Sequence, residues 1–249
     1  MEWYIVLALI AAGFLAGFIN TLAGSGSLIS LPLLMFLGLP ANVANGTNRI
    51  AILLQNIIAV GSFKQQKVLK IRQGIWLAIP AIIGSVIGAK FAITLSEEIM
   101  SRTIGILLIV MFLLIVFKPD IWVKGQAGLQ EKKPGVLQIV VFFFIGVYGG
   151  FIQAGVGFFL LSGLVLAAGF DLVKANAIKL LIVLLYTPFA LIVFILNSQI
   201  DYKYGFILAA GNMLGAFVAS RFAVSWGAKY LRYILMIIIL LASVKLLFF

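Results

Sequence analysis

The chain has 249 residues, is 64% hydrophobic and 10% charged, and contains neither cysteine nor histidine. Soluble domains are roughly 45–50% apolar and about 25% charged, so a soluble globular protein, a disordered chain and a disulfide-stapled scaffold are all excluded. What remains is an all-α polytopic membrane protein, in which the net charge of +11 reflects basic residues gathered between apolar runs rather than a nucleic-acid surface.

In chain order the apolar runs are Trp3–Ala23, Leu28–Leu39, Ile50–Phe63, Ile75–Leu95 and Thr103–Phe117, then Val136–Phe151, Phe158–Phe170, Leu180–Leu196, Gly205–Val224 and Leu231–Phe249. A spanning helix needs about 17–25 residues, or fewer with local adjustment of the bilayer. Leu28–Leu39 and Phe158–Phe170 have only 12 and 13, and each follows a glycine cluster. They read as short, broken helices, so the expectation is about eight full spans plus two short segments, 8–10 membrane segments in all. The polar stretch 118–134 divides a first transmembrane repeat, residues 1–117, from a second, 135–249, and reads as a basic cytoplasmic linker. No Lys or Arg precedes the first run, only Glu2, so a cleaved signal peptide is not expected.

The two halves are copies of one module. A shift of 131 positions pairs Gly24 with Gly155, Gly26 with Gly157, Gly38 with Gly169, Ala44-Asn45 with Ala175-Asn176, Gly74 with Gly205, Gly84 with Gly215 and Phe91-Ala92 with Phe222-Ala223. With a two-residue slip, Gly17-Phe18-Ile19-Asn20 pairs with Gly150-Phe151-Ile152-Gln153. Aligned glycines and a shared Ala-Asn are not cheap coincidences. If the short segments cross the membrane the halves are inverted, with 13 Lys and Arg inside and 5 outside; if they re-enter the halves are parallel, with 10 and 8. The inverted repeat agrees better with the positive-inside rule.

The acids Glu2, Glu97, Glu98, Asp120, Glu131, Asp171 and Asp201 all fall at or beyond span ends, so no carboxylate is placed for a mid-membrane proton relay. Without histidine there is no Ser-His-Asp triad, and no Walker pattern is present. Nothing points to an enzyme, a cofactor or a metal.

The glycine clusters carry the chemistry. Asn20-Thr21-Leu22-Ala23-Gly24-Ser25-Gly26-Ser27 interrupts two apolar helices, and Gln153-Ala154-Gly155-Val156-Gly157 is its counterpart. Broken backbone at membrane depth must be buried in protein or line a cavity, and a helix starting there offers unpaired N–H groups to an anion. Paired breaks in matching positions of two halves mark the central site of a secondary transporter; the competing explanation, close packing of small residues, suits Gly84, Gly88, Gly215 and Ala219. A second polar patch follows each short segment, with Asn45, Asn48 and Arg49 in the first half and Asn176 and Lys179 in the second. Arg49 and Lys179 read as counter-charges for an anion; the plainer alternative is a loop in which Asn45 or Thr47 caps the next helix. Lys90 and Arg221, near span ends, read as snorkelling side chains.

The stretch from Gly17 to Asn56, GFINTLAGSGSLISLPLLMFLGLPANVANGTNRIAILLQN, with its looser partner from Gly149, resembles the TauE/SafE family of sulfite-exporter-like permeases. The resemblance extends over essentially the whole chain, although the family commonly has glycines where this chain has Ser25 and Val156. It implies a multi-pass inner-membrane permease for small sulfur-containing anions such as sulfite, sulfoacetate or other organosulfonates, working by alternating access. The partners expected are therefore a small anion and the lipid bilayer, with no nucleic acid and with homo-oligomerisation left open. An anion channel or a non-transporting membrane scaffold of the same architecture is the alternative.

Overall fold

The computed structural model describes residues 2–69, 71–117 and 135–223. The linker at 118–134 and the expected last segment, Leu231–Phe249, lie outside them. The helices are α1 (Trp3–Ala23), α2 (Ser27–Phe36), α3 (Ala41–Gln65), α4 (Ile71–Thr94), α5 (Glu97–Phe117), α6 (Val136–Phe151), α7 (Val156–Ser162) and α8 (Leu172–Leu196), then α9 (Tyr202–Ala223). α7 runs on through a π turn, Gly163–Ala167. No strand occurs among the described residues.

Among the described residues, four helices are both long and apolar enough to cross a bilayer: α1, α4 from Gly74, α8 and α9. α2, α6 and α7 are shorter apolar helices. α3 has 25 residues, about 37 Å at 1.5 Å per residue, but opens with polar turns. Of the eight full spans read from the sequence, four satisfy both length and apolarity among the described residues, and the last, Leu231–Phe249, lies outside them. Polarity is distributed as lipid requires: Ile75, Ile79, Ile83 and Ile87 form an exposed apolar stripe on α4, while Asn48, Arg49, Gln55, Asn176 and Lys179 are buried.

The backbone repeats itself. The residues with positive φ among those described are Gly24, Gly38, Lys67, Gly155, Gly169 and Ser198, which form three pairs 131 apart. Gly24 ends α1 in the left-handed conformation, and Gly155 adopts the same conformation to start α7. A left-handed residue reverses the chain direction cheaply only where there is no Cβ.

The halves interlock rather than sit side by side. α1 packs on α9 and α6 packs on α4, each across glycine: a Cβ on Gly84 or Gly88 would strike the α6 carbonyls of Phe143 or Val147, and one on Gly211 or Gly215 would strike the α1 carbonyls of Ile10 or Phe14. The packing role expected for Gly84, Gly88 and Gly215 is therefore observed. Spatially, Gly84 and Gly88 take the places of Gly211 and Gly215, one helical turn away from the ungapped match of Gly84 with Gly215. Residues four apart share a helix face, so a whole-turn displacement leaves the sequence pattern nearly intact.

The second polar patches are helix, not loop. α3 starts at Ala41 rather than Ile50, and α8 at Leu172 rather than Leu180. The residue preceding α3 is Pro40, which makes no side-chain cap, so neither Asn45 nor Thr47 caps it. Hydropathy alone cuts these helices short because their first turns bury polar side chains that are satisfied by other helices.

Candidate functional site

The two breaks meet. Gly157 N–H donates to the Gly24 carbonyl at 3.2 Å, and a Cβ on either glycine would enter the backbone of the other. The N–H expected to be free at the second break is therefore occupied. Gly26, which precedes α2, is pressed against the Ala16 carbonyl and the Asn20 Cβ. Glycine at these positions is required by close crossing of backbones, a packing role in addition to any ligand approach. Gly155 precedes α7, and Ser25 and Ser27 are buried in the first break.

Each break is clamped by a cation from the opposite half. Lys179, on α8, donates from Nζ to the Asn20 carbonyl at 3.0 Å, the Thr21 carbonyl at 3.2 Å and Asn176 Oδ1 at 2.6 Å. Arg49, on α3, donates from Nη1 to the Gly149 carbonyl at 3.0 Å and Gln153 Oε1 at 3.2 Å, and from Nη2 to the Gly150 carbonyl at 2.6 Å and the Phe151 carbonyl at 3.4 Å. Asn45 Nδ2 adds a bond to the same Phe151 carbonyl at 2.8 Å, and the guanidinium lies 4.6 Å from the Phe194 ring centroid. Both cations sit at the carbonyl-rich C-terminal ends of α1 and α6, where the helix dipole favours positive charge.

Among the described residues, Arg49 and Lys179 are the only charged side chains that are buried. The ion pairs found among those residues, Arg102–Glu98 and Lys174–Asp171, are elsewhere and partly exposed. Two positive charges thus lie inside the protein with helix-end dipoles and neutral amides around them and no described carboxylate paired to either. An uncompensated buried charge is expensive and marks a functional position in a membrane protein.

The predicted site residues fall into three neighbouring groups. Asn20, Thr21, Asn176 and Lys179 form one; Asn45, Arg49 and Gln153 form the second. In the third, Asn48 accepts from Ser30 Oγ at 2.7 Å and donates to Ser27 Oγ at 3.2 Å. Lys90 and Arg221 are exposed, as snorkelling requires, and Arg221 covers the Phe217 ring.

Several participants escape a reading by motif. Gln55 Oε1 accepts from Asn20 Nδ2 at 3.1 Å and Asn212 Nδ2 at 3.3 Å, tying α1, α3 and α9 together. On the other side Gln153 Nε2 donates to Thr187 Oγ1 at 3.4 Å, and Ser85 Oγ reaches the Tyr186 carbonyl at 3.4 Å. Gln55 and Tyr186 are 131 apart, as are Asn56 and Thr187; that coincidence was the available signal.

This architecture is that of a multi-pass helical membrane protein. The family model described as "Sulfite exporter TauE/SafE" matches residues 9–246, and the chain belongs to that family. It is 28% identical to "Probable membrane transporter protein ORF9" of Sinorhizobium sp, over 99% of this chain and 94% of the relative. It is 30% identical to "Probable membrane transporter protein YfcA" of Escherichia coli (strain K12), over 94% of this chain and 86% of the relative. A Haemophilus influenzae "Probable membrane transporter protein" is 27% identical over 96% of this chain. No solved structure matches significantly.

Proposed function

We propose that the chain is an inner-membrane secondary permease for a small anion, built as an inverted repeat and working by alternating access between its halves. The observation that carries this reading is the pair of buried cations, Arg49 and Lys179, without a described buried carboxylate. Each half supplies a cation to the broken helix of the other, so relative motion of the halves necessarily changes both clamps. An entering anion supplies the missing negative charge and competes with the helix-end carbonyls for the same donors. The break residues Asn20, Thr21, Gly24, Ser25, Gly26, Ser27, Gln153, Gly155 and Gly157, together with Asn45, Asn48 and Asn176, line or brace that position. Family membership supports a sulfur-containing anion, such as sulfite or an organosulfonate. The energy comes from a gradient or from a partner subunit, since the sequence carries no Walker motif.

Purified protein in proteoliposomes tests this directly. Flux of labelled sulfite or sulfoacetate is expected to saturate and to accelerate when the same anion is present on the far side, with taurine and acetate as controls. Non-saturating flux without trans-acceleration favours a channel, and no flux of any anion defeats the proposal. Reporter fusions are expected to place residues 118–134 in the cytoplasm and the C-terminus outside; a cytoplasmic C-terminus restores the parallel arrangement.

A further inference from the structure

The two clamping cations differ in what they have left to give. All three Nζ protons of Lys179 have acceptors, so this ammonium is fully engaged in holding the end of α1. Arg49 has spent its Nη groups on helix-end carbonyls and Gln153, but its Nε–H has no partner. A second orphan donor meets the same residue, Gly149, that the guanidinium holds. The Tyr186 hydroxyl is wholly buried and unpartnered, and sits 2.8 Å from where a Cβ on Gly149 would be; the carbonyl of that same Gly149 accepts from Arg49 Nη1 at 3.0 Å.

Buried polar groups are almost always hydrogen-bonded, and each exception calls for an explanation. Here a phenylalanine would fill the same space without an orphan hydroxyl. The position matched to Tyr186 by the repeat is Gln55, and its Nε2 is likewise buried without a partner. Unused donors therefore recur at the same place in α3 and α8, which is the pattern of a ligand surface and not of a local packing fault. Of the two, the Tyr186 donor is the one beside a formal positive charge.

We propose that Tyr186 is a specificity-determining contact, its O–H and the Arg49 Nε–H each donating to an oxygen of the transported anion. The inference rests on the anion-permease reading and adds which atoms recognise the substrate. Two donors set apart on separate side chains suit a sulfonate, sulfite or carboxylate, whose charge is spread over several oxygens, better than a monatomic halide. Lys179, with no donor to spare, holds the break in place.

The test uses the full chain in detergent and compares Tyr186→Phe with wild type in binding titrations of sulfite, acetate and chloride, alongside thermal melts. Tyr186→Phe is expected to weaken sulfite binding about tenfold or more, as loss of one hydrogen bond to a charged acceptor, to leave chloride binding nearly unchanged, and to melt at or above the wild-type temperature. Tyr148→Phe is the contrast, because the Tyr148 hydroxyl already donates to the Ala154 carbonyl at 2.6 Å; it is expected to melt earlier with unchanged affinity. If Tyr186→Phe binds sulfite normally, or loses sulfite and chloride equally, the specificity role is overturned while the permease reading stands. If the wild type binds none of the three anions, the permease reading falls and this inference with it.

Discussion

The first break, between α1 and α2, and the second, between α6 and α7, share a backbone and almost nothing else. Both carry a left-handed glycine, Gly24 and Gly155, and both are followed 14 residues later by another, Gly38 and Gly169. Around the first, hydroxyls and amides satisfy one another: Ser30, Asn48 and Ser27 form a chain of bonds. At the matched positions of the second stand Leu161, Lys179 and Phe158, and the first and last of these are core. Duplication has preserved what the crossing demands of the main chain and released the side chains. The clamps have diverged as well, with an ammonium saturated by three acceptors at the first break and a guanidinium with one N–H unused at the second.

The largest effect expected tests the shared part. Gly24→Ala and Gly157→Ala each put a Cβ into the opposing backbone, where relief requires the two breaks to separate. Neither variant is expected to yield a monodisperse peak on size-exclusion chromatography. Gly38→Ala has the same unfavourable φ but open space around its Cβ, so it is expected to cost only about 1–2 kcal/mol and to remain folded in thermal melts. Equal tolerance of all three would mean that the breaks do not cross as described. Gly26 is closed in the same way, by the Ala16 carbonyl and Asn20, so added bulk at Gly26 or Gly157 meets packed atoms before it meets any ligand.

Next in size is the difference between the clamps. Arg49→Met leaves the Gly149 and Gly150 carbonyls and Gln153 Oε1 without donors, because α6 ends at Phe151, no backbone N–H reaches the two carbonyls, and Arg49 Nη1 is the donor to Gln153 Oε1. Lys179→Met orphans the Thr21 carbonyl and Asn176 Oδ1, while the Asn20 carbonyl keeps the Gly24 N–H at 2.8 Å. At about 1–3 kcal/mol per unsatisfied buried group, Arg49→Met, with more acceptors orphaned, is expected to destabilise by roughly half as much again as Lys179→Met in denaturation, and to abolish sulfite flux where Lys179→Met reduces it. Arg49→Lys keeps the charge but loses the fork that spans two carbonyls, and is expected to fall between them. A Lys179 variant less stable than the Arg49 variant would reverse the comparison.

The contrast between the breaks also explains what the sequence conveyed. α1 and α6 were legible to the residue, Trp3–Ala23 and Val136–Phe151, because each is an uninterrupted apolar run stopped by a break. The starts of α3 and α8 were not, because Asn45, Arg49, Asn176 and Lys179 look like loop residues until their partners on α6 and α1 are known. Arg49, Lys179, Asn48 and Gln153, read as anion-binding residues, are buried, and their partners are backbone carbonyls and neighbouring polar side chains, which no spacing rule reveals. Tyr186 and Gln55 were overlooked as single polar residues within apolar runs; only their separation of 131 links them. The interlocking of α1 with α9 and α4 with α6 was hidden because a glycine shows that something comes close, not what.

The smallest effect expected separates the halves at their helix starts and bears on proton coupling. Asp171 precedes α8 and accepts from the Lys174 backbone N–H at 3.0 Å, whereas the matched residue before α3 is Pro40, which has no such side-chain bond. Partial burial pushes the Asp171 carboxyl up, but hydrogen bonds and charge from Lys174 outweigh it and hold the group below its ordinary value. A carboxyl depressed in the folded state contributes stability that is present above its unfolded value, about 3.9, and lost as pH falls through the still lower folded value. Asp171 therefore stays ionised across the neutral range and is not positioned to carry a proton through a transport cycle. Asp171→Asn caps as well as aspartate does but gives up the ion pair with Lys174, so it is expected to melt slightly earlier with flux unchanged, while Asp171→Ala costs about 1 kcal/mol with flux intact. Sulfite uptake measured for both between pH 6 and 8 is expected to follow the wild-type profile. Abolished flux in a folded Asp171→Asn protein would establish a proton site at the mouth of α8 and make this helix start, rather than the buried cations, the place where the two halves differ most.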